Sequence, residues 1–157
     1  MKRLFYLLAA AAFTACGSAT TLSVMTFNMR YDNPEDGADN WRFRRGRVAE
    51  VIASHGVDVF GTQELLANQL GDLKRLLPGY AAVGVGREDG AEAGEFSAVF
   101  YRRDRFTPLE SGTFWLSETP DVAGSKGWDG ACERVATWVV LHGREGGREF
   151  LFVNTHL

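Results

Sequence analysis

The chain has 157 residues, of which 45% are hydrophobic and 12% aromatic, a composition that excludes a disordered polypeptide and suits one domain of ordinary size. Seventeen Lys and Arg face 20 Asp and Glu, a formal charge of −3, so the overall field gives no support for electrostatic capture of duplex nucleic acid. Local basic patches stay open, and two cysteines are too few for a disulfide scaffold.

In chain order, Met1, Lys2 and Arg3 form a positive cluster, and Leu4 to Ala15 is an apolar run broken only by Thr14. That run is shorter than the roughly 20 apolar residues a spanning helix needs, so residues 1–19 are predicted to be an export segment. The stretch 13-FTAC-16 resembles the lipobox of bacterial lipoproteins, with Phe13 where leucine is usual and Cys16 as the residue that would take the lipid. Cleavage after Ala19, with Gly17 and Ala19 as the small residues, is the other route. The first predicts a cell-envelope lipoprotein with a membrane anchor, the second a periplasmic or secreted soluble protein. Either removes Lys2 and Arg3, leaving 15 basic against 20 acidic residues, or −5. With Cys16 lipidated, Cys132 has no intramolecular partner.

No repeat or charge block divides residues 20–157, which are predicted to form one domain. Residues 22–29 read as a strand, followed by a polar loop over 32–40. A helix starts near Trp41, capped by Asp39 or Asn40, with Val48, Ile52 and His55 on one face and Gly56 at its end. The segment 57-VDVF-60 is a second strand, and residues 65–78 form a second helix with Leu66, Leu70, Leu73 and Leu77 as its buried stripe. Further strands are predicted near 80–86, 96–102, 112–116, 135–142 and 149–156, with 143-GREGG-147 as the hairpin turn joining the last two. A β-α-β-α start and a mainly antiparallel remainder predict a layered α/β sandwich. The last strand ends in its own polar exit, Asn154, Thr155 and His156, which predicts that the domain is incomplete at its C-terminus.

Asn28, Glu64, Asn154 and His156 all follow apolar strands, and strand ends are where α/β sheets collect ligand-binding groups. The stretches 26-TFNMRYDN-33, 58-DVFGTQE-64, 98-AVFYRRDRF-106, 133-ERVATW-138 and 153-VNTHL-157 resemble, in order, the motifs of the endonuclease/exonuclease/phosphatase superfamily, which includes DNase I, neutral sphingomyelinases and inositol polyphosphate phosphatases. The resemblance implies a four-layered α/β sandwich of the DNase I type, present as its N-terminal part. It implies a phosphoesterase that hydrolyses phosphodiester or phosphomonoester bonds with Mg²⁺ or Mn²⁺, its substrate a nucleic acid, a phospholipid headgroup or a sugar phosphate, with no protein partner.

Residue by residue, the resemblance makes Glu64 the metal-binding carboxylate, the oxygen donor a small hard cation prefers. Asn28 is the amide beside the metal, able to donate to a phosphate oxygen. His156 is the catalytic histidine, in contact with the scissile phosphate as an acid and electrostatic group. Glu95 is the acid that hydrogen-bonds this histidine, and Arg134 is the guanidinium on the phosphate. Asn154 supports the motif's backbone. His55 and His142 are structural. The loop 32–45, with Trp41, Arg42, Arg44 and Arg45, reads first as a capped helix start with a charged face, with stacking on or gripping a ligand as the other reading, and 124-GSKGWDGACER-134 places Lys126 and Trp128 upstream of Arg134. The family's remaining motifs, an Asp directly after the His-Leu pair, an Asp-x-Asn and an Asp-His pair, would lie beyond Leu157, so residues 1–157 alone are expected to be inactive. The alternative of another class is a non-catalytic surface-binding lipoprotein that keeps the scaffold.

Overall fold

A computed structural model of the protein describes residues 21–157; the predicted export segment and Cys16 lie outside the described residues. The elements run β1 (Val24–Asn28), a 3-10 helix (Pro34–Asp39), α1 (Trp41–Ser54), β2 (Val59–Gln63), α2 (Ala67–Leu76), β3 (Tyr80–Val83), β4 (Val99–Arg102), β5 (Phe106–Trp115), β6 (Val135–Gly143) and β7 (Glu149–Thr155). One sheet has the order β1-β2-β4-β3, the other β5-β6-β7. β1 and β2 are parallel, as a strand-helix-strand crossover requires, and every other pairing is antiparallel.

Strand alternation sorts the side chains of the first sheet into two cores. Phe60 and Phe100 point to the helices, where they stack at 4.7 Å and meet Trp41, Ile52 and Leu73. Their neighbours Val59, Val99 and Tyr101 point the other way, onto Phe106, Val139 and Leu141 of the second sheet. With both faces covered, β2 is buried along its whole length. The layers among the described residues are therefore helices, sheet, sheet, the DNase I-like α/β sandwich. The far face of the second sheet carries exposed Leu109, Leu151 and Val153.

Local chemistry sets the boundaries. Asn40 caps α1 by accepting from the Arg42 backbone N–H at 3.2 Å, and Gly56 takes the left-handed conformation (φ 57°) that releases the chain. The indole of buried Trp41 donates to Asp72 of α2 at 2.9 Å, so this tryptophan joins the two helices rather than lying open for a ligand. The 143–147 turn forms as predicted, with Gly143 N–H donating to Arg148 O at 2.8 Å and positive φ at Gly146 and Gly147.

Four expectations need correction. His55 is exposed and belongs to the end of α1, not its apolar face. Leu66 precedes α2 and is only half-buried, since the buried residue of that pair is Leu65. β2 runs on through Gln63, because a central strand finds partners on both sides even at Gly61 and Thr62. β5 begins at Phe106, six residues ahead of the predicted 112, since Pro108 and a register shift between Pro108 and Glu110 mask its pattern.

Candidate active site

Parallel pairing places Asn28 directly opposite Gln63, so β1 and β2 finish at the same edge. The chain then turns through two left-handed non-glycine residues, Arg30 (φ 54°) and Glu64 (φ 58°). Such conformations cost about 1–3 kcal/mol each and persist where the surroundings hold them. The holding groups are visible. Asn28 Nδ2 donates to Glu64 Oε1 at 2.9 Å, its Oδ1 accepts from Arg30 N at 2.9 Å, and Tyr31 N donates to Glu64 Oε2 at 3.3 Å. Fully buried Gln69 fixes the same loop by donating to Arg30 O and accepting from Asp32 N.

Burial pushes the Glu64 carboxyl up, but the Asn28 amide, the Tyr31 N–H and the positive charges of His156 and Arg30 outweigh it, so the group lies below the usual glutamate range. The result is an ionised carboxylate at a strand end, with lone pairs left over once its two hydrogen bonds are made. Among the described residues no three His, Cys, Asp or Glu gather as a metal cage. One carboxylate with a neighbouring amide oxygen is nevertheless a donor set that suits Mg²⁺, which keeps most of its shell for water and phosphate.

His156 arrives from the second sheet. It follows Thr155, which pairs with Ala136 at the end of β7 and donates from Oγ1 to Val135 O at 2.9 Å. Buried Asn154 bridges the sheets: Nδ2 donates to Thr62 O (2.8 Å) and Ala98 O (3.1 Å), and Oδ1 accepts from Gln63 Nε2 (2.8 Å). A β-carbon on Gly61 would lie 2.5 Å from Asn154 Cγ, so only glycine leaves room for this bridge. Asn154 thus supports the motif, as the sequence suggested, through its side chain.

Glu95 reaches the histidine through a loop. Phe96 N donates to Leu65 O at 2.7 Å, pinning the segment beside Glu64, and Glu95 Oε2 lies 3.9 Å from His156 Nδ1. That nitrogen is buried and has no hydrogen-bond partner among the described residues. The same Oε2 accepts from Arg87 at 2.8 Å.

Asn28, Glu64, Glu95 and His156 therefore converge at one end of the sandwich. Arg134 lies at that end too, directly before β6, with its carbonyl accepting from Leu116 N at 2.8 Å. Its half-buried side chain makes no hydrogen bond or ion pair among the described residues. Trp128 is exposed and left-handed (φ 50°) in the same connection. Cys132 is a half-buried free thiol, His55 accompanies the end of α1, and His142 lies 3.4 Å from Glu149 on the hairpin. Arg87 escaped the sequence reading. Its signal was the glycine-rich stretch 84-GVGREDGAEAGE-95, whose glycines let two charged residues eight apart fold back onto each other.

Residues 25–155 match the Endonuclease/Exonuclease/phosphatase family. The chain is 48% identical to a solved endonuclease/exonuclease/phosphatase from Bacteroides vulgatus (TM-score 0.85), over 85% of this chain and 51% of that one. It is 47% identical to a mannosyl-6-phosphatase from Bacteroides thetaiotaomicron (TM-score 0.85), over 87% of this chain and 52% of that one. A curated relative, the CCR4-Not complex 3'-5'-exoribonuclease subunit Ccr4 of Aspergillus clavatus, is 25% identical over 92% of this chain and 26% of its own length. The chain thus spans about half the length of these solved structures and about a quarter of that curated relative.

Proposed function

Since this chain belongs to the endonuclease/exonuclease/phosphatase family, we propose that its protein is a divalent-cation-dependent phosphoesterase, and that its substrate is a sugar phosphomonoester. The observation that carries the reading is the Glu64 carboxylate, tied by Asn28 at 2.9 Å at the edge where His156 and Glu95 lie 3.9 Å apart. The mannosyl-6-phosphatase supports the sugar-phosphate class, since its 47% identity far exceeds the 25% of the exoribonuclease subunit. The acidic balance of the chain agrees, because tight nucleic-acid binding rests on many phosphate-neutralising cations.

Glu64 would hold the cation, Mg²⁺ or Mn²⁺, with Asn28 beside it. Such an ion, when bound, polarises the phosphoryl oxygens and neutralises charge that builds on them. Asn28 positions Glu64 and has amide capacity for a phosphate oxygen. His156 presents an imidazole to the phosphoryl group as an acid and as a positive charge. Glu95, next to Nδ1, sets the ring's orientation, leaving Nε2 for the substrate. Arg134, uncommitted within this chain, suits two parallel hydrogen bonds to phosphate oxygens.

The test is phosphate release by the full-length protein from a hexose 6-phosphate, with bis-p-nitrophenyl phosphate and single-stranded RNA in parallel. Mg²⁺-dependent, EDTA-sensitive release from the hexose 6-phosphate is expected. Preference for RNA overturns the substrate class, and silence on all three overturns the hydrolase. Export follows from the charged and apolar residues 1–15, and palmitate labelling that disappears in Cys16→Ser is the expected mark of the lipid anchor.

A further inference from the structure

The connection between β3 and β4 is folded against itself. Gly86 N–H donates to Ala91 O at 3.0 Å, Glu88 N–H to Ala93 O at 3.1 Å and Arg87 N–H to Glu95 O at 3.1 Å. Asp89 Oδ1 accepts from Ala91 N at 2.8 Å and Ala93 N at 2.9 Å, closing the tip. Arg87 and Glu95 are thereby set side by side. Two anchors fix this pair on the molecule: Phe96 N on Leu65 O, next to Glu64, and the Trp115 indole donating to Arg87 O at 2.6 Å from the end of β5. One anchor lies just past β2 of the first sheet and the other at the end of β5 in the second, so the loop spans the two sheets whose other strand ends carry Glu64 and His156.

The pair is well shielded, with Arg87 16% and Glu95 21% exposed. A shielded carboxylate is oriented by its partners far more than one in water. Glu95 Oε2 has two nitrogen neighbours in reach: Arg87 Nη1 at 2.8 Å and His156 Nδ1 at 3.9 Å. Arg87 therefore holds the oxygen that faces the histidine. Without the guanidinium, nothing else among the described residues hydrogen-bonds the Glu95 carboxylate, and it is free to turn away from the imidazole.

We propose that Arg87 is a positioning residue of this site: it fixes Glu95 so that the carboxylate sets the ring of His156, and it touches neither substrate nor cation. The role rests on the phosphoesterase reading for its kinetic consequence, but not for its structural one. Removing Arg87 disturbs His156 even in protein that is not turning over. Because Arg87 acts through Glu95, its loss has no further effect once Glu95 is gone.

Two measurements on the full-length protein test this. In the resting protein, imidazole nitrogen and carbon resonances of His156, identified by their absence in His156→Ala, are expected to shift in Arg87→Met. Those of His55 and His142 should stay in place, and the His156 shift should be largely recovered in Arg87→Lys. Unmoved His156 resonances in Arg87→Met overturn the proposal whether or not the protein is active. In turnover, Arg87→Met is expected to lower kcat about 10–100-fold, the range for outer partners of a catalytic group, with KM within about twofold. Arg87→Met/Glu95→Gln should then be no slower than Glu95→Gln alone. Multiplicative losses in the double variant, or a change confined to KM, overturn it by placing Arg87 on the substrate instead. Glu95→Gln keeps the size of its side chain, so if Arg87→Met fails to fold, the comparison of Arg87→Lys with Glu95→Gln decides by the same resonances.

Discussion

The two sheets of this sandwich are built from similar residues, yet among the described residues only one is packed on both faces. β2 is buried from Val59 to Gln63, whereas β7 alternates, with Leu151 60% exposed and Val153 49% exposed on its outer side. The four-stranded sheet gains a second core from α1 and α2, while the three-stranded sheet has only the face it shares. Glu64 and Asn28 grow out of the doubly covered sheet and His156 out of the other. The site thus depends on how firmly the second sheet is fastened to the first, and few polar groups do that fastening.

The largest effect is expected in the helix-facing core. Phe60→Ala removes a fully buried ring stacked on Phe100 and should lower unfolding free energy by about 3–5 kcal/mol in urea titration. A loss under about 1 kcal/mol would mean that the helices add little to the first sheet. Glu64→Ala deletes two hydrogen bonds but no core contact, so it should cost less stability than Phe60→Ala, about 1–2 kcal/mol, while cutting kcat/KM by about 10²–10³-fold. A stability loss as large as that of Phe60→Ala would merge two functions that the architecture separates.

Asn154→Ala attacks the junction itself. It deletes three hydrogen bonds and leaves buried Gln63 Nε2 with only its 3.1 Å bond to Thr26 Oγ1, so a loss of about 1–3 kcal/mol is expected, together with lower kcat as His156 loses its footing. Asp72 offers a pH-dependent handle on the helical layer. Burial pushes its carboxyl up, but the Trp41 indole and the Arg45 and Arg75 guanidinium groups outweigh this and hold it below the usual aspartate range. A lowered folded value means stability that is complete above the unfolded value, about 3.9, and lost as pH falls through the folded one. Asp72→Asn should therefore flatten the decline in stability below about pH 4. An unchanged slope would assign that decline to other carboxyls. The smallest change is expected from Val153→Thr, within about 0.5 kcal/mol for an open face; a loss above 1 kcal/mol in the full-length protein would show that face to be covered there.

Much of this was legible in sequence because periodicity and strand-end chemistry are local signals. The two helices, the 143–147 hairpin and the placement of Asn28, Glu64 and His156 at strand exits all came from patterns within a few residues. Long-range effects were not legible. That Trp41 joins the helices instead of stacking on a ligand was not legible, because its partner, Asp72, is 31 positions away. His55 followed the helical spacing of Val48 and Ile52, but the helix ends at Ser54 and His55, its C-cap, lies in solvent. Arg87 gave no motif, since its meaning depends on a loop that doubles back. The start of β5 was hidden because the bulge after Pro108 breaks the alternation that marks a strand.

The missing β-carbon at position 61 acts as a spacer gauge. A single methyl there would wedge against the Asn154 side chain, and β7 would have to retreat from the first sheet. His156, just past the end of that strand, would retreat with it, so the distance between the groups the two sheets deliver is calibrated by the smallest amino acid in the chain.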